Sequence, residues 1–165
     1  MSHLPALLSL PLQLPPIERL RPLLRRMARA PLKIQALAVE PILNLLFRQP
    51  LRERELDFLQ GSVIAIRVKD IDLEWPLTLQ HGRIALAPAG TPPDAAIRGD
   101  CRAFAQMAAR RADPDTLFFQ RRLMMEGDTE LALMLKNWLD TLEFESLPSW
   151  LRFLLIQAAD LPQPG

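Results

Sequence analysis

The most regular hydrophobic pattern lies in the C-terminal half of the chain. Asp113-Pro114 is typical of a helix start, because the Asp side chain can accept from the first turn and proline needs no partner there. A short helix and a brief apolar Leu-Met-Met strand follow. Gly127-Asp128 then ends the strand and begins a long amphipathic helix. The apolar stripe of that helix consists of Leu131, Met134, Leu135, Trp138, Leu139 and Leu142.

Alternation of period two predicts three earlier strands. Ile64, Ile66 and Val68 form the first apolar set, on even positions. The next apolar set is odd-numbered and consists of Ile71, Leu73, Trp75, Leu77 and Leu79. The parity change requires a turn or bulge at Lys69-Asp70, and Pro76 favours an edge or a bulge within the second strand. Gln80-His81-Gly82 predicts a hairpin turn into a third strand at Ile84 and Leu86, which makes an antiparallel meander.

A fourth strand and two further helices are predicted beyond the meander. Ala95 and Ile97 mark the strand, and Asp100 can cap a helix with apolar positions at Cys101, Phe104, Ala105 and Ala108. Residues 150–159 form a last helix that is apolar nearly all round, with one charge at Arg152. A helix of this kind is buried, covers a pocket or enters lipid.

Two proline-interrupted helices are predicted before the strands. Residues 17–30 place apolar side chains on one side and arginines around the rest, although Pro22 weakens a continuous helix. Pro31 opens the second segment, which Pro41 should kink or divide. The whole pattern predicts an α+β fold, in which helices cover a five-stranded mixed or antiparallel sheet. We expect a basic segment at 1–50, the main domain at 51–145 and an apolar helix with a tail at 146–165.

Composition and charge narrow the function classes. Hydrophobic residues make up 49% of the 165 residues and charged residues 24%, which indicates a globular protein. Residues 1–50 carry seven basic and two acidic residues, a net +5, whereas the remainder carries −4. A basic and apolar segment suits an anionic lipid surface or an acidic partner. Nucleic acid is disfavoured, because Phe47 is the only aromatic residue of that segment.

The sequence predicts a cytoplasmic protein that associates peripherally with the membrane. The first 17 residues contain four prolines and no Lys or Arg, unlike a secretory signal peptide. No charge-free stretch elsewhere is long enough to cross a bilayer as a helix.

Candidate catalytic and metal-binding residues are scarce, and we predict neither a catalytic site, a metal site nor a cofactor. His3 and His81 have no partner at metal or relay spacing. Asp70, Asp72 and Glu74 share one strand face and could hold a cation, but solvated carboxylates explain them more simply. Cys101 is interpreted as a small buried hydrophobe. The Arg121-Arg122 pair could meet a phosphate or an acidic partner.

Five sequence segments carry a resemblance to a known family: ELDFLQG, VKDIDLEW, DAAIRGD, DPDTLFFQRRLMM and GDTEL. Together they resemble the sterol-carrier-protein type two family, and in particular its bacterial members that serve ubiquinone biosynthesis. The resemblance is strong from Glu55 to Glu145. It implies an apolar tunnel between sheet and helices that holds a polyprenyl quinone precursor or a phospholipid. It also implies a role in the oxygen-independent pathway beside hydroxylation partners of the UbiU and UbiV type.

A set of apolar residues could line such a tunnel. On spacing alone, an ordinary filled core is the favoured interpretation, and the resemblance reverses that preference. The candidate lipid-binding residues are Trp75, Phe104, Leu117, Phe118, Met124, Leu131, Met134, Leu135 and Trp138, with Met125 beside them.

Both ends of the chain supply candidate membrane contacts. An amphipathic helix with arginines toward phosphate can lie on a headgroup layer, although packing on the domain or on a partner is an equal alternative for the N-terminal helix. The candidates are Leu20, Leu24, Arg25, Arg26, Met27, Trp150, Leu154 and Leu155.

Three functions are compatible with these observations. The first is a non-enzymatic lipid-binding accessory factor. The second is a protein-interaction adaptor with a filled core, which docks through its apolar terminal helices. The third, an acyl-chain enzyme, requires a carboxylate or Cys101 with a strongly shifted pKa inside the cavity.

Overall fold

A computed structural model describes residues 16–141 and 143–162 of the chain. Five strands form one sheet in the order β3-β2-β1-β4-β5. Their bounds are β1 Ile64–Val68, β2 Leu73–Gln80, β3 Arg83–Leu86, β4 Ala95–Gly99 and β5 Leu123–Gly127. β1 and β4 run parallel, and the other neighbouring pairs are antiparallel. The predicted mixed sheet and the antiparallel meander of the first three strands are therefore confirmed.

Helices account for most of the remaining described residues. They are α1 Ile17–Ala28, α2 Leu32–Leu46, α3 Arg48–Arg52, α4 Cys101–Ala108, α5 Pro114–Phe119, α6 Thr129–Thr141 and α7 Ser149–Ala159. Short 3-10 turns lie at Asp57–Leu59, Lys69–Ile71 and Phe144–Ser146. The α+β prediction is confirmed. His3 and Leu142, two residues singled out above, lie outside the described residues.

Local chemistry explains the turns and helix starts. The 3-10 turn after β1 ends at Asp72, whose φ of 53° resets the strand parity. His81 and Gly82 both have positive φ, as a two-residue hairpin loop requires. The side chains of Asp100, Asp113 and Asp128 each accept a backbone N–H three residues ahead, at 2.7, 3.1 and 3.1 Å. All three predicted helix caps are confirmed.

The expectation that Pro76 would place part of the second strand at an edge agrees with the strand register. β3 pairs with residues 77–80 of β2, whereas residues 73–76 have β1 as their paired strand, so the β3 side of β2 becomes an edge near Pro76. The Pro76 carbonyl accepts from Ala87, one residue beyond the end of β3. The hydrogen bond that proline cannot donate therefore falls at the end of the β2–β3 ladder and not in its middle.

The prolines of the N-terminal helices do not divide them. α1 runs through Pro22 and α2 runs through Pro41, so the expected interruption of α1 and division of α2 are wrong. A single proline removes one backbone hydrogen bond, and packing against neighbouring elements can offset that loss. The break in the second helical segment comes instead at Phe47, where α2 ends and α3 begins.

Helices α4, α5 and α6 cover one face of the sheet and fill the space above it. The main apolar cluster consists of Leu56, Leu59, Ile64, Leu79, Ile84, Ala95, Ile97, Ala103, Met107, Leu117, Leu123, Leu131, Ala132 and Leu135, all at most 8% exposed. Two details of the predicted stripes are wrong. On α4, Ala103 and Met107 are buried although the predicted stripe did not include them, whereas Cys101 of that stripe is only half-buried. The reason is that α7 also covers α4. On α6, Ala132 is buried and Met134 is 44% exposed.

Polar side chains attach the N-terminal helices to the sheet. Nε2 of Gln35 donates to the carbonyls of Ala28 and Ala30, and its Oε1 accepts from the Trp75 indole at 2.8 Å. Asn44 exchanges two hydrogen bonds with the Ile84 backbone, and Glu40 accepts from Leu86. These bonds occupy the outer backbone groups of the edge strand β3, which is one way of protecting an edge.

Candidate functional site

A cleft of about 920 Å³ opens between the α2–α3 junction and the segment that follows α6. Apolar residues form one part of its wall, and charged or polar residues form the rest. The lining residues are Leu45, Leu46, Phe47, Arg48, Gln49, Pro50, Arg52, Glu53, Glu55, Thr141, Glu143, Ser146 and Leu147. Cavities that hold small ligands have volumes of about 300–1,000 Å³, so a ligand fits here.

The helix break at Phe47 shapes the first wall of the cleft. Phe47 leaves the helical conformation with φ −103° and ψ 22°, yet its N–H still bonds Leu43 and its carbonyl accepts from Leu51. This tight junction leaves Leu45 68% exposed. The opposite wall is held by local bonds, such as the N–H of Leu147 to the carbonyl of Phe144.

An aromatic pair connects the wall of the cleft with the apolar cluster. The rings of Phe47 and Trp138 meet edge to face, with centroids 5.0 Å apart. The Trp138 indole N–H donates to Oε2 of Glu55 at 3.2 Å, and both Phe47 and Glu55 line the cleft. Phe47 and Trp138 also pack against the main apolar cluster. Phe47 therefore belongs both to the wall of the cleft and to the edge of the hydrophobic interior.

The structure distributes the candidate lipid-binding residues over three environments. Leu117, Leu131 and Leu135 belong to the filled cluster, and Phe104, Phe118 and Trp138 pack against it half-buried. Met124 and Met134 are 38% and 44% exposed. Trp75 lies under α2, where it is bonded to Gln35. None of these residues lines the cleft, but Trp138 contacts Phe47 and Glu55, which do. A tunnel between sheet and helices stays a prediction.

The candidate membrane contacts are also divided. Met27 and Trp150 are 46% and 41% exposed, and Arg26 is exposed. Leu20, Leu24 and Leu154 are half-buried. Leu155 packs on the second apolar cluster of Ala105, Ala158, Ala159 and Leu161, while Arg25 donates to the carbonyl of Asp70.

Several large apolar side chains that are not among the candidate membrane contacts also face solvent. On α1 and α2 these are Leu23 at 53%, Ile34 at 57%, Leu37 at 78% and Ile42 at 44%; on α7 they are Phe153 at 44% and Ile156 at 36%. Helical spacing gave a signal for α2, but it could not tell which side of the helix faces the domain. Among the described residues, no helix is long and apolar enough to span a bilayer.

The buried polar residues offer little reactive chemistry. Burial, and to a lesser extent the negative charge of Asp70, raises the pKa of the Cys101 thiol to about 12, so it stays protonated at neutral pH. The Asp70 carboxylate bonds Arg21 at 3.1 Å and the Cys101 backbone N–H at 2.9 Å. No group of three His, Cys, Asp or Glu within residues 16–141 and 143–162 is arranged to hold a metal ion.

The sequence reasoning missed most of the cleft. The helical spacing of the second segment indicates a helix that contains Leu45, Leu46 and Phe47, but no sequence pattern assigns these residues or Leu147 to a site. The available signal was the single aromatic residue of the N-terminal segment followed closely by Pro50. That pattern marks a helix boundary, but it does not reveal which distant segment completes a cavity there.

Comparisons with known proteins agree with this architecture. A model of the SCP-2 sterol transfer family matches residues 42–140. The chain is 41% identical over 161 residues to the ubiquinone biosynthesis accessory factor UbiT from three strains of Escherichia coli, covering 98% of this chain and 83% of each relative. A solved structure described as UbiJ-SCP2 ubiquinone synthesis protein superposes with a TM-score of 0.53 at 18% identity, over 66% of this chain and 95% of that one. The last similarity bears on the fold alone.

Proposed function

Because the chain belongs to the SCP-2 sterol transfer family, we propose that it is a non-enzymatic lipid-binding accessory factor of ubiquinone biosynthesis. It would hold a polyprenyl quinone precursor or a phospholipid and present it to partner enzymes at the membrane. The identity to UbiT over nearly the whole chain supports the pathway. The partners would be hydroxylation proteins of the UbiU and UbiV type, since the chain carries no cofactor motif of its own.

The cleft at the α2–α3 junction is the observation on which this proposal rests. Leu45, Leu46, Phe47, Pro50 and Leu147 provide an apolar wall for an aliphatic chain. Each CH₂ removed from water contributes about 0.8 kcal/mol, so several prenyl units give appreciable affinity. The contacts carry little information on chain identity, and specificity has to come from the head group.

The aromatic pair supports a deeper path for the chain. Trp138 contacts Phe47 of the cleft wall and packs against the apolar cluster that includes Leu131 and Leu135. A rotation of the Phe47 ring would join the cleft to that apolar interior. A long chain would then lie partly in the cleft and partly beside α6, where the sequence predicts lipid-binding residues.

Exposed apolar and basic residues support peripheral membrane contact. Leu23 and Met27 of α1 lie near Arg19, Arg26 and Arg29, which are exposed and form no ion pair within the described residues. Such a helix can insert its apolar side at the headgroup boundary while its arginines attract anionic lipids. A cytoplasmic location at the inner membrane surface follows from this proposal.

Lipid extraction from the purified protein tests the function. Wild-type protein is incubated with a long-chain ubiquinone, separated from free lipid by gel filtration and analysed by mass spectrometry. The Leu45→Glu variant should show lipid retention lowered about tenfold or more. Its carboxylate would have to be buried against the aliphatic chain of the lipid, which is unfavourable.

Phe119→Glu is the matched control. Phe119 is 91% exposed on α5 and does not line the cleft, so this variant should retain lipid like the wild type. A wild-type preparation that is empty and also rejects the added ubiquinone would contradict the proposal.

A protein-interaction adaptor is the second candidate, and the filled apolar cluster favours it. Vesicle co-sedimentation and partner pull-down distinguish the two with a Leu23→Glu/Met27→Glu variant. Loss of vesicle binding with intact partner binding supports the lipid factor. The adaptor is supported if the variant loses partner binding and the wild-type protein retains no lipid.

A further inference from the structure

The outward side of α7 is an exposed apolar surface. Trp150, Phe153 and Ile156 follow one another at three-residue steps, so they share one side of the helix, and they are 41%, 44% and 36% exposed. Arg152 is the one charged residue of α7, and its side chain is half-buried. An uncharged, partly aromatic surface of this kind gains most from a partner that is itself uncharged and apolar.

The described part of the chain begins beside this surface. The backbone N–H of Ile17, the first residue of α1, donates to Oε1 of Gln157 on α7 at 2.9 Å. Ile17 also packs, like Leu155 of α7, against the second apolar cluster. Pro16 is extended, with φ −53° and ψ 140°, so α1 does not continue backwards through it. The chain therefore enters the described fold next to Ile156.

Residues 1–15 have the composition that suits an apolar and aromatic surface. They contain six leucines and three prolines, and they contain no Asp, Glu, Lys or Arg. Leucine side chains lose exposed apolar area when they pack on aromatic rings. Prolines restrict the free chain, which lowers the entropy lost on docking. Proline-rich segments that dock on aromatic side chains are a recurring mode of recognition.

The same residues are numerous enough to cover α7. A helix of 11 residues is about 16 Å long. Fifteen residues in the polyproline II conformation would span about 45 Å, so a path from Gln157 back to Trp150 needs only part of them. Because residues 1–15 are joined to the fold at Ile17, their effective concentration at α7 is about millimolar, and a weak contact is sufficient to hold them there.

We infer that residues 1–15 lie along the outward side of α7, from Ile156 towards Trp150, and cover its apolar side chains. The contact is autoinhibitory, because a docked segment keeps this side of α7 from a membrane or a second protein until the segment is displaced. The candidate membrane contact Trp150 would then become available only after displacement. The contact does not depend on the proposed lipid-binding function.

A nitroxide label within residues 1–15 tests the contact in the whole chain. The label is attached to the Ser9→Cys variant at neutral pH, where the native Cys101 thiol stays protonated and reacts slowly, and mass spectrometry verifies a single label. Amide signals of residues 150–156 should lose most of their intensity in the NMR spectrum. Chemical reduction of the nitroxide should restore them.

Charges placed in the segment or on α7 should release it. The Leu7→Glu/Leu8→Glu pair and, separately, Phe153→Glu should each lower the docked fraction about tenfold or more, because a carboxylate is costly to bury in an apolar contact. Gln13→Glu, at a polar position of the segment, and Phe119→Glu, at a side chain that is 91% exposed on α5, are the matched controls. Both controls should keep the signal loss on α7. Thermal unfolding of each variant checks that the fold is retained.

Three results would overturn the contact. The first is a labelled protein whose α7 signals keep their intensity, or a signal loss that survives both charged variants. The second is a signal loss in a mixture of labelled protein with unlabelled, isotope-enriched protein, which would assign the surface to a second copy of the chain. The third is a signal loss that appears only after vesicles containing phosphatidylglycerol are added, which would assign the surface to the membrane.

Discussion

The helices on the two sides of this molecule are held in opposite ways. Helices α4, α5 and α6 bury apolar side chains against the sheet, and Leu117 and Ala132 are completely enclosed. By contrast, α1 has no buried residue, and Gln35 is the buried residue of α2. The N-terminal pair is attached through amides, a carboxylate and two arginines, together with the half-buried Ile17 and Leu43, while many of its large apolar side chains face outward.

This difference explains how one chain can be stable and still offer an apolar surface. An ordinary surface helix turns its apolar stripe inward. Here Gln35, Glu40 and Asn44 of α2 make inward contacts beside the apolar Leu43, whereas Ile34, Leu37 and Leu45 remain exposed. The buried apolar contacts of α4, α5 and α6 provide most of the stability. The N-terminal helices can therefore contact lipid without being needed for the hydrophobic core.

The largest expected effect is on the α4–α6 side. Leu117→Ala should lower the free energy of unfolding by about 2–5 kcal/mol, because Leu117 is 0% exposed and its removal leaves a cavity. Leu37→Ala removes the same atoms from a side chain that is 78% exposed. It should change the free energy of unfolding by less than about 0.5 kcal/mol. Urea denaturation measures both, and equal losses would contradict the contrast.

An intermediate effect is expected where Gln35 attaches the N-terminal helices. Gln35→Leu keeps an apolar stem but leaves the Trp75 indole and two carbonyls without a partner, which should cost about 1–3 kcal/mol. Hydrogen exchange should accelerate in α1 and α2 more than in α6. Gln120→Leu changes an exposed residue whose side chain forms no hydrogen bond in the described part of the chain, and it should behave like the wild type.

The smallest effect concerns Asp70 and depends on pH. Burial alone would raise the pKa of Asp70, but hydrogen bonds from the Cys101 backbone and Arg21 outweigh it and hold the pKa below its ordinary value. Ionised Asp70 therefore stabilises the fold above about pH 4, and this contribution is lost as the pH falls through the lowered pKa.

Asp70→Asn should accordingly be less stable than the wild type at pH 7, by about 1–2 kcal/mol, and the gap should close below about pH 4. Denaturation at pH 7 and pH 3 measures the gap. Asp72→Asn, at an exposed position with no ion pair among the described residues, is the control. A gap that widens in acid would refute the assigned role of Asp70.

Local chemistry in the sequence determined the elements and their order. The caps at Asp100, Asp113 and Asp128, the hairpin loop at His81-Gly82 and the parity change before β2 depend on residues close together in the chain, so period and turn chemistry were sufficient to predict them. The family resemblance rested on these same local segments.

Only the tertiary structure decided where the cleft lies and which apolar residues remain outside. Phe47 meets Trp138, and Arg83 joins Arg48, because distant segments converge at the α2–α3 junction. Pro76 is tolerated in β2 because the β2–β3 ladder ends beside it. An apolar side chain has the same hydrophobicity wherever it lies, so its spacing identifies a stripe, but the neighbour that covers the stripe depends on packing across the whole chain.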